Sequence, residues 1–425
     1  MKMIRTAAGL FLAAATLLVA CGGGNDRTKA QVRLVNASSG DQQLDLRVDD
    51  QLRQGAVGYG GSASYVEADP GKASTITRAG SATALLSFTP NTAARKYYTV
   101  LAYGPLGGLK QLVLDENSAE PDANRSLLRV VNAAADAAAL DVYLTGAEDL
   151  LAASVPVLAG VLPDVLSTAH IANSGTWRLR VTAAGSKTDL RLDVPALALS
   201  SKQVATLVLS PAAGGVLAKG LLLTQQAGLA AQAPTQARVR VAAGLADAGF
   251  TSLRLGGAAV LSNVSSPGVT QYVLVPAGTQ SVGLTVGGVV LGDGTKKLDE
   301  GGDYTLLMRG TAASPLPTWV VDDNTLPSDR TQAKLRLVNG VSGVDGALSL
   351  AVDFLPVAGS VTAALATPYD LVSAVSATAQ LTVTAEGLGK PLFSVVDQTL
   401  SAGAVYTVFM LRGADNATGV LRKDR

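Results

Sequence analysis

The stretch "VRLVN" (residues 32–36) opens a unit that the chain repeats four times. It returns as "LRVVN" (128–132), "VRVAA" (239–243) and "LRLVN" (335–339). A second alternating segment follows each time, and these segments are "LDLRV" (44–48), "LDVYL" (140–144), "SLRLG" (252–256) and "LSLAV" (348–352). A third marker ends each unit, as "YYTVLAYG" (97–104), "VATLVLS" (204–210), "DYTLLMRG" (303–310) and "VYTVFMLRG" (405–413). Three markers that recur in one order predict four tandem domains.

Most of these markers alternate apolar and polar residues with a period of two. In residues 44–48, for example, the leucines and the valine would face one side and Asp45 and Arg47 the other. Such alternation predicts strands that are buried on one face and solvated on the other. Turn formers such as "DPGK" (69–72) and "PAGT" (276–279) separate the strands, and only "AEDLLAASV" (147–155) predicts a helical turn or two.

The fold prediction is therefore all-β: four tandem immunoglobulin-like antiparallel β-sandwich domains that follow a lipoprotein signal peptide. The chain has one cysteine, so disulfides play no part and the domains are not true immunoglobulins. The predicted bounds are 1–20 for the signal peptide, 21–30 for a lipidated cysteine and flexible tether, and 31–122, 125–232, 236–328 and 332–425 for the repeats.

The single cysteine, Cys21, follows an export signal with Lys2 and Arg5 before a short apolar run. The residues "LVAC" (18–21) resemble the bacterial lipobox, which implies that Cys21 is lipidated and becomes the new N-terminus after cleavage. The alternative is an ordinary signal peptide with an incidental cysteine. Gly22 stands where many Gram-negative lipoproteins of the inner membrane have Asp, and this favours the outer membrane, with either a periplasmic or a surface-facing orientation. The acyl chains attached to Cys21 would together anchor the protein stably in the membrane.

The four units resemble a bacterial and archaeal extracytoplasmic family, the domain of unknown function DUF4397. Its usual pattern starts "RVVNASPDAPAVDVYVDG", and "LRVVNAAADAAALDVYLTG" (128–146) matches that start best. Later parts of the pattern match "YVLVPAGT" (272–279), the repeated "YT" pairs and "VDDN" (321–324). Unit two departs with Ala205 at the "YT" tyrosine, and unit three with Ala243 at the first-strand asparagine. The resemblance implies a fold and an extracytoplasmic location, without an activity.

The sequence offers few candidate catalytic residues. His170 is the only histidine, and neither an HExxH nor a GxSxG motif occurs, so we assign no catalytic, cofactor-binding or metal-binding residue. Acidic residues gather at two unit ends, "LDENSAEPD" (114–122) and "VDDNTLPSD" (321–329). We interpret them as exit turns, and Ca²⁺ binding is the alternative.

Two further side-chain types recur with the repeat. Each first strand carries an arginine, which the alternation places on a solvated face, where a pairing with Asp45 or Asp141 would contribute about 1 kcal/mol at most. The arginines are Arg33, Arg129, Arg240 and Arg336. The "YT" tyrosines are interpreted as corner devices that tie a loop to the backbone, and a sugar-binding aromatic face is the alternative.

A formal net charge of +1 indicates no nucleic-acid partner. The leading hypothesis is a non-enzymatic cell-envelope lipoprotein, a rod of β-sandwiches for adhesion, scaffolding or binding of an envelope or extracellular polymer or protein. The first alternative is an envelope-glycan hydrolase with paired carboxylates in one cleft. The second is a solute-binding lipoprotein, which requires a deep pocket between domains. The sequence does not specify an oligomeric state.

Overall fold

The computed structural model describes residues 26–134, 137–292, 294–344 and 346–425. The predicted signal peptide and lipidation site Cys21 lie outside the described residues. Within them the chain is all-β, with two short 3₁₀ helices at Leu151–Ala153 and Ala414–Asn416. The helical turns predicted for residues 147–155 are thus reduced to one 3₁₀ turn.

The strands group along the chain into four β-sandwiches, each with two sheets. Sandwich 1 contains β1 (Ala30–Ser38), β2 (Gln43–Val48), β3 (Gln51–Gly58), β4 (Val66–Ala68), β5 (Ser74–Arg78), β6 (Ala84–Phe88), β7 (Tyr97–Gly104) and β8 (Lys110–Asp115). Sandwich 2 contains β9 (Arg125–Asn132), β10 (Leu140–Thr145), β11 (Leu158–Val161), β12 (His170–Asn173), β13 (Gly175–Ala183), β14 (Leu190–Leu199), β15 (Val204–Pro211), β16 (Ala218–Thr224) and β17 (Leu229–Gln232).

The second half of the chain repeats this arrangement. Sandwich 3 contains β18 (Gln236–Ala243), β19 (Phe250–Leu255), β20 (Ala258–Ser265), β21 (Gly268–Val269), β22 (Val273–Pro276), β23 (Gly278–Val286), β24 (Val289–Val290), β25 (Gly294–Leu298), β26 (Asp303–Gly310) and β27 (Pro315–Asp322). Sandwich 4 contains β28 (Gln332–Ser342), β29 (Leu348–Val352), β30 (Leu355–Val361), β31 (Asp370–Ser373), β32 (Val375–Ala385), β33 (Phe393–Leu400), β34 (Val405–Gly413) and β35 (Thr418–Lys423).

One sheet of each sandwich, which we call the inner sheet, is built around the first and the "YT" markers of the repeat. Its strand order in sandwich 1 is β4-β1-β7-β8, and the equivalent orders recur in the others. The first strand pairs in parallel with the "YT" strand, as in β1 with β7 and β28 with β34. The remaining strand pairs among the described residues are antiparallel, in line with the predicted antiparallel β-sandwiches, and this pair is the exception in each sandwich. A parallel pair is possible here because the chain crosses to the second sheet and returns between the two strands.

Apolar side chains of the two sheets meet in one core for each sandwich. In sandwich 1, Leu34 and Val100 of the inner sheet face Leu44, Leu46 and Ile76 of the other sheet. All five side chains are almost fully buried. The period-two alternation predicted this inward face correctly, because leucines two residues apart lie on the same side of a strand.

The outer faces of the inner sheets are also buried, which corrects the prediction of a solvated face. Val35 and Leu101 of sandwich 1 pack against Val131, Val208 and Leu221 of sandwich 2. The same contact joins sandwiches 3 and 4, through Leu307 and Val320 on one side and Val338, Phe409 and Leu411 on the other. The sandwiches therefore pack face to face as pair 1–2 and pair 3–4, an arrangement that differs from the predicted rod of sandwiches.

A glycine turn in sandwich 2 connects the two pairs. Gly214 donates its N–H to the carbonyl of Gly301 in sandwich 3 at 2.8 Å and accepts from the N–H of Asn324 at 3.0 Å. A Cβ on Gly214 would lie 2.5 Å from the Asp303 carboxyl carbon, and one on Gly215, where φ is +86°, would lie 2.3 Å from the Thr325 nitrogen. Only glycine permits this close backbone approach. Arg425 also donates to the carbonyls of Gly215 and Asn324.

Candidate functional site

The first-strand arginines lie opposite a threonine of the neighbouring parallel strand. Arg33 aligns with Thr99, and Arg240 with Thr305. In both cases the arginine Nε donates to the threonine hydroxyl at 2.8 Å. Arg33, Arg240 and Arg336 are only 2–3% exposed, so the prediction that they lie on a solvated strand face was wrong. The alternation placed them correctly on the outer face, but that face is covered by a neighbouring sandwich.

Each of these three arginines is also stacked on a tyrosine and paired with an acid. Tyr65, Tyr272 and Tyr369 lie with their ring centres 4.3–4.6 Å from the guanidinium carbons of Arg33, Arg240 and Arg336. A guanidinium over an aromatic face is attracted by the ring quadrupole. The paired acids are Glu116 for Arg33, Asp424 for Arg240 and Asp322 for Arg336. Glu116 and Asp424 directly follow the strands β8 and β35, and Asp322 is the last residue of β27.

Pair 1–2 keeps its ion pair within one sandwich. Both oxygens of the Glu116 carboxylate accept from Arg33 Nη2 at 2.9 Å, and the hydroxyls of Tyr65 and Thr99 also donate to it. From sandwich 2, the backbone N–H of Gln226 donates to the same carboxylate at 2.7 Å. Arg33 in turn donates to the carbonyls of Ala227 and Thr224. Sandwich 2 therefore contributes only neutral groups to this ion pair.

Pair 3–4 exchanges its ion pairs between the sandwiches. Arg240 of sandwich 3 pairs with Asp424 of sandwich 4, and Arg336 of sandwich 4 pairs with Asp322 of sandwich 3. Asp322 also accepts from Tyr272 at 2.7 Å and from Thr305 at 2.6 Å. Burial alone would lower the pKa of Arg240, but Tyr272 and the two carboxylates together raise it above its ordinary value. The side chains of both exchanged pairs are no more than 3% exposed.

Sandwich 2 lacks this arrangement. Ala169 stands opposite Arg129 where the tyrosine would lie, and Gln225 replaces the acid. Gln225 exchanges two hydrogen bonds with the backbone of Ser118, at 2.9 and 3.1 Å. Within the part of the chain that the structure describes, the Arg129 side chain donates only to the Ser118 hydroxyl, at 3.3 Å, and burial lowers its pKa. Neither Asp45 nor Asp141 pairs with a described arginine, contrary to the prediction: their carboxylates accept backbone N–H groups in the other sheet and its turns.

The "YT" tyrosines are corner devices, as predicted. The hydroxyls of Tyr98, Tyr304 and Tyr406 accept the backbone N–H of the residue five positions earlier, at 2.8–3.1 Å. Sandwich 2 has Ala205 at this position, and the Gln203 side chain accepts the equivalent N–H, that of Ser200, at 2.7 Å. The tyrosine and the glutamine thus perform the same local function.

The acidic junctions form exit turns, as predicted. Asp115 accepts the N–H of Asn117 at 2.8 Å, and Asp323 accepts that of Thr325 at 3.0 Å. In addition, Glu116 and Asp322 enter the interfaces between sandwiches, which the sequence interpretation missed. It also missed Asp424, although Asp424 directly follows β35 much as Asp322 ends β27. In the described part of the chain, no three His, Cys, Asp or Glu side chains form a group suited to a metal ion.

A cleft of about 790 Å³ lies where sandwiches 1, 2 and 4 meet the linker between sandwiches 3 and 4. Sandwich 1 contributes the β1–β2 loop, Tyr59 and the β7–β8 turn, while sandwich 2 contributes residues 211–213 and Lys219. The linker contributes Asp323 and residues 325–328 and 330, and sandwich 4 contributes Lys334, Tyr369 and Leu371. The cleft exists only because the two pairs dock on each other, so no single unit of the repeat contains it.

The cleft does not carry the paired carboxylates that glycan hydrolysis would require. Its one carboxylate among the described lining residues, Asp323, is bound by the Lys334 ammonium at 3.0 Å, and this contact helps lower the pKa of Asp323. His170 lies elsewhere, at the start of the edge strand β12, where burial lowers its pKa.

The family model for the domain of unknown function DUF4397 matches residues 30–143 and 237–346, which is more than half of the chain. The chain belongs to the DUF4397 family. The first matched stretch covers sandwich 1 and continues through β9 into β10 of sandwich 2. The second covers sandwich 3 from the second residue of β18 and continues through β28 of sandwich 4. No curated protein matches the chain.

Two solved structures show distant likeness to this DUF4397 chain. One is CBMbc, of family CBM26, from Eubacterium rectale Amy13K in complex with maltoheptaose; it is 11% identical, with a TM-score of 0.16, and the match covers 44% of this chain and 96% of that chain. The other is the Bacillus anthracis TIE protein, 8% identical with a TM-score of 0.16, and the match covers 90% of this chain and 67% of that chain.

Among the described residues, no helix has the length and hydrophobicity to span a membrane.

Proposed function

We propose that this DUF4397 chain is a non-enzymatic binding protein of the cell envelope, anchored by lipid on Cys21, that holds its ligand in the cleft between sandwiches 1, 2 and 4. The cleft is the observation that carries this proposal. A pocket between domains is what the solute-binding alternative requires. The cleft volume of about 790 Å³ lies within the usual range of ligand sites in proteins.

The construction of the cleft supports binding more than catalysis. The buried acids at the interfaces accept hydrogen bonds from arginine, threonine and tyrosine side chains, so they are occupied in holding the sandwiches together. The walls come from three sandwiches: an apolar interface joins sandwiches 1 and 2, and the contacts of Gly214 and of Arg425 hold sandwich 2 against the other pair. A pre-formed wall reduces the entropy that ligand binding costs.

The lipobox-like "LVAC" and the three glycines after Cys21 support the anchoring part. Cys21→Ser should move the protein from the detergent-soluble membrane fraction to the aqueous fraction. Protease treatment of intact cells then distinguishes a surface-facing from a periplasmic protein. Retention of the Cys21→Ser form in the membrane would contradict lipid anchoring.

The binding part is tested with the soluble Cys21→Ser form incubated with a small-molecule extract of the envelope. Native mass spectrometry should detect a bound molecule. Ala213→Trp fills the cleft and should abolish binding, because Ala213 is exposed on the cleft wall. Ala94→Trp is the matched control, since Ala94 is exposed in sandwich 1 and outside the cleft lining. Absence of a bound molecule, or equal binding by both variants, would contradict the proposal.

A further inference from the structure

The cleft holds more positive than negative charge. Its lining carries four cationic side chains, those of Lys110, Lys219, Arg330 and Lys334, and one carboxylate, that of Asp323. Because the whole chain has a formal net charge of only +1, this excess is local and does not follow from the composition.

Two of the four cations are neutralised by nearby acids. The Lys110 ammonium lies 2.5 Å from Asp164, and the Lys334 ammonium lies 3.0 Å from Asp323. Lys219 and Arg330 form no ion pair with any residue in the described part of the chain. They are the two cations available to a ligand.

Lys219 is held in place across the interface of sandwiches 1 and 2. Its ammonium lies 4.1 Å from the ring centre of Tyr59, so a residue of sandwich 1 positions a cation of sandwich 2. The Tyr59 hydroxyl is buried and has no hydrogen-bond partner within the described protein. A positioned cation in a partly enclosed cleft attracts an anion more strongly than the same cation would in open water.

The remainder of the cleft offers apolar contacts. Leu106 of the β7–β8 turn is 59% exposed and Leu371 of sandwich 4 is 48% exposed, and both line the cleft. Leu326 and Pro327 of the linker add to this surface. An exposed apolar surface beside unpaired cations matches a ligand with an apolar body and an anionic head.

On the basis of the proposed function, we infer that the cleft binds an amphipathic organic anion, with its anionic head between Lys219 and Arg330 and its apolar body against Leu106, Leu326 and Leu371. Recognition is by charge at one end and by burial of apolar surface at the other. Neither a neutral molecule of the same shape nor a small inorganic anion satisfies both ends.

The test uses 1-anilinonaphthalene-8-sulfonate, an aromatic sulfonate, as a fluorescent probe of the folded Cys21→Ser form. Decanoate should displace the probe at a concentration at least tenfold lower than decanol, which has the same chain length without the charge, and inorganic phosphate should not displace it. Lys219→Gln with Arg330→Gln should weaken decanoate binding at least tenfold and leave decanol binding unchanged. Lys219→Arg with Arg330→Lys should retain binding.

The matched control removes two positive charges elsewhere. Arg53→Gln with Lys390→Gln changes exposed residues outside the cleft lining and should leave decanoate binding unchanged. Circular dichroism melting checks that each variant is folded. Equal displacement by decanoate and decanol, or an equal loss in the control variant, would overturn the inference.

The failure of this inference is distinguishable from that of the proposed function. If an envelope molecule binds in a manner blocked by Ala213→Trp while decanoate does not bind, the cleft has a ligand of other chemistry and only the anion inference fails. If neither binds, both fail.

Discussion

Pair 1–2 and pair 3–4 use the same sheet faces but different electrostatics. In pair 3–4 each sandwich supplies the acid for the other's arginine, as Asp424 does for Arg240 and Asp322 for Arg336. In pair 1–2 the ion pair of Arg33 and Glu116 is complete within sandwich 1. Sandwich 2 binds this ion pair with backbone groups, and the Gln226 side chain donates to the Glu116 carbonyl.

This difference shows that a repeated unit can lose a set of interacting residues together. Sandwich 2 has Ala169, Ala205 and Gln225 where its neighbours have two tyrosines and an acid. The apolar contact survives these changes, because Val131, Val208 and Leu221 still cover the face of sandwich 1. We conclude that apolar burial is the shared basis of both interfaces, and that the exchanged charges couple sandwiches 3 and 4 in addition.

The largest effect is expected when the exchange in pair 3–4 is broken. Arg336→Met removes the closer cation of buried Asp322 and leaves the Arg240 guanidinium, 3.9 Å away, as its remaining cation. The free energy of unfolding should fall by about 3 kcal/mol, the lower end of what breaking a buried ion pair costs. The chain has two tryptophans, so Trp319 alone reports on sandwich 3 in a Trp177→Phe background during urea unfolding.

Arg129→Met is the matched substitution in pair 1–2. Among the described residues Arg129 forms no ion pair, so its replacement should change the free energy of unfolding by less than about 1 kcal/mol, read from Trp177 in a Trp319→Phe background. Similar decreases in the free energy of unfolding for Arg336→Met and Arg129→Met would show that the two arginines stabilise their interfaces equally.

High pH provides a second way to separate the pairs. Burial, with the neighbouring Asp322, raises the pKa of Tyr272 well above its ordinary value, and its neutral hydroxyl donates to Asp322. Folding therefore favours the protonated form, so this contribution is complete below about pH 10, where unfolded tyrosine ionises, and is lost as the pH rises further. Above pH 10 the free energy of unfolding of sandwich 3 should fall by about 1.4 kcal/mol more per pH unit in the wild type than in Tyr272→Phe.

Sandwich 2 provides an internal control for the same pH titration. Ala169 occupies the equivalent position in sandwich 2, so Trp177 should report the same pH dependence with or without Tyr272. An unchanged slope of the Trp319 signal in Tyr272→Phe would mean that this tyrosine does not resist ionisation in the folded protein.

The smallest effect compares the two corner devices. Tyr304→Phe removes the acceptor for the Asp299 N–H, and Gln203→Ala removes the acceptor for the Ser200 N–H. Each change should cost about 1 kcal/mol, a typical net value for one hydrogen bond. Unfolding followed by Trp319 for the first variant and Trp177 for the second measures both. A loss in Tyr304→Phe alone would show that Gln203 does not replace the tyrosine.

Much of each sandwich was predictable from the sequence because strand periodicity is a local property. Leu44 and Leu46 were placed in the core correctly, and the tyrosine corners were recognised from their repeated position. The first-strand arginines were wrongly predicted to be exposed to solvent. Periodicity assigns a side chain to one face of a strand, but it does not reveal what covers that face. A signal was present: Val35 and Ala37 make the outer face of β1 apolar, which is typical of a strand buried on both sides.

By itself, the sequence determined the repeat, the all-β class and the inward face of each strand, because these depend on residues a few positions apart. Only the tertiary structure decided that the sandwiches pair face to face, that Arg240 meets an acid 184 residues later, and that three sandwiches enclose one cleft. Contacts of this kind depend on how completed sheets dock. That docking is governed by the complementarity of two surfaces, which no short stretch of either one encodes.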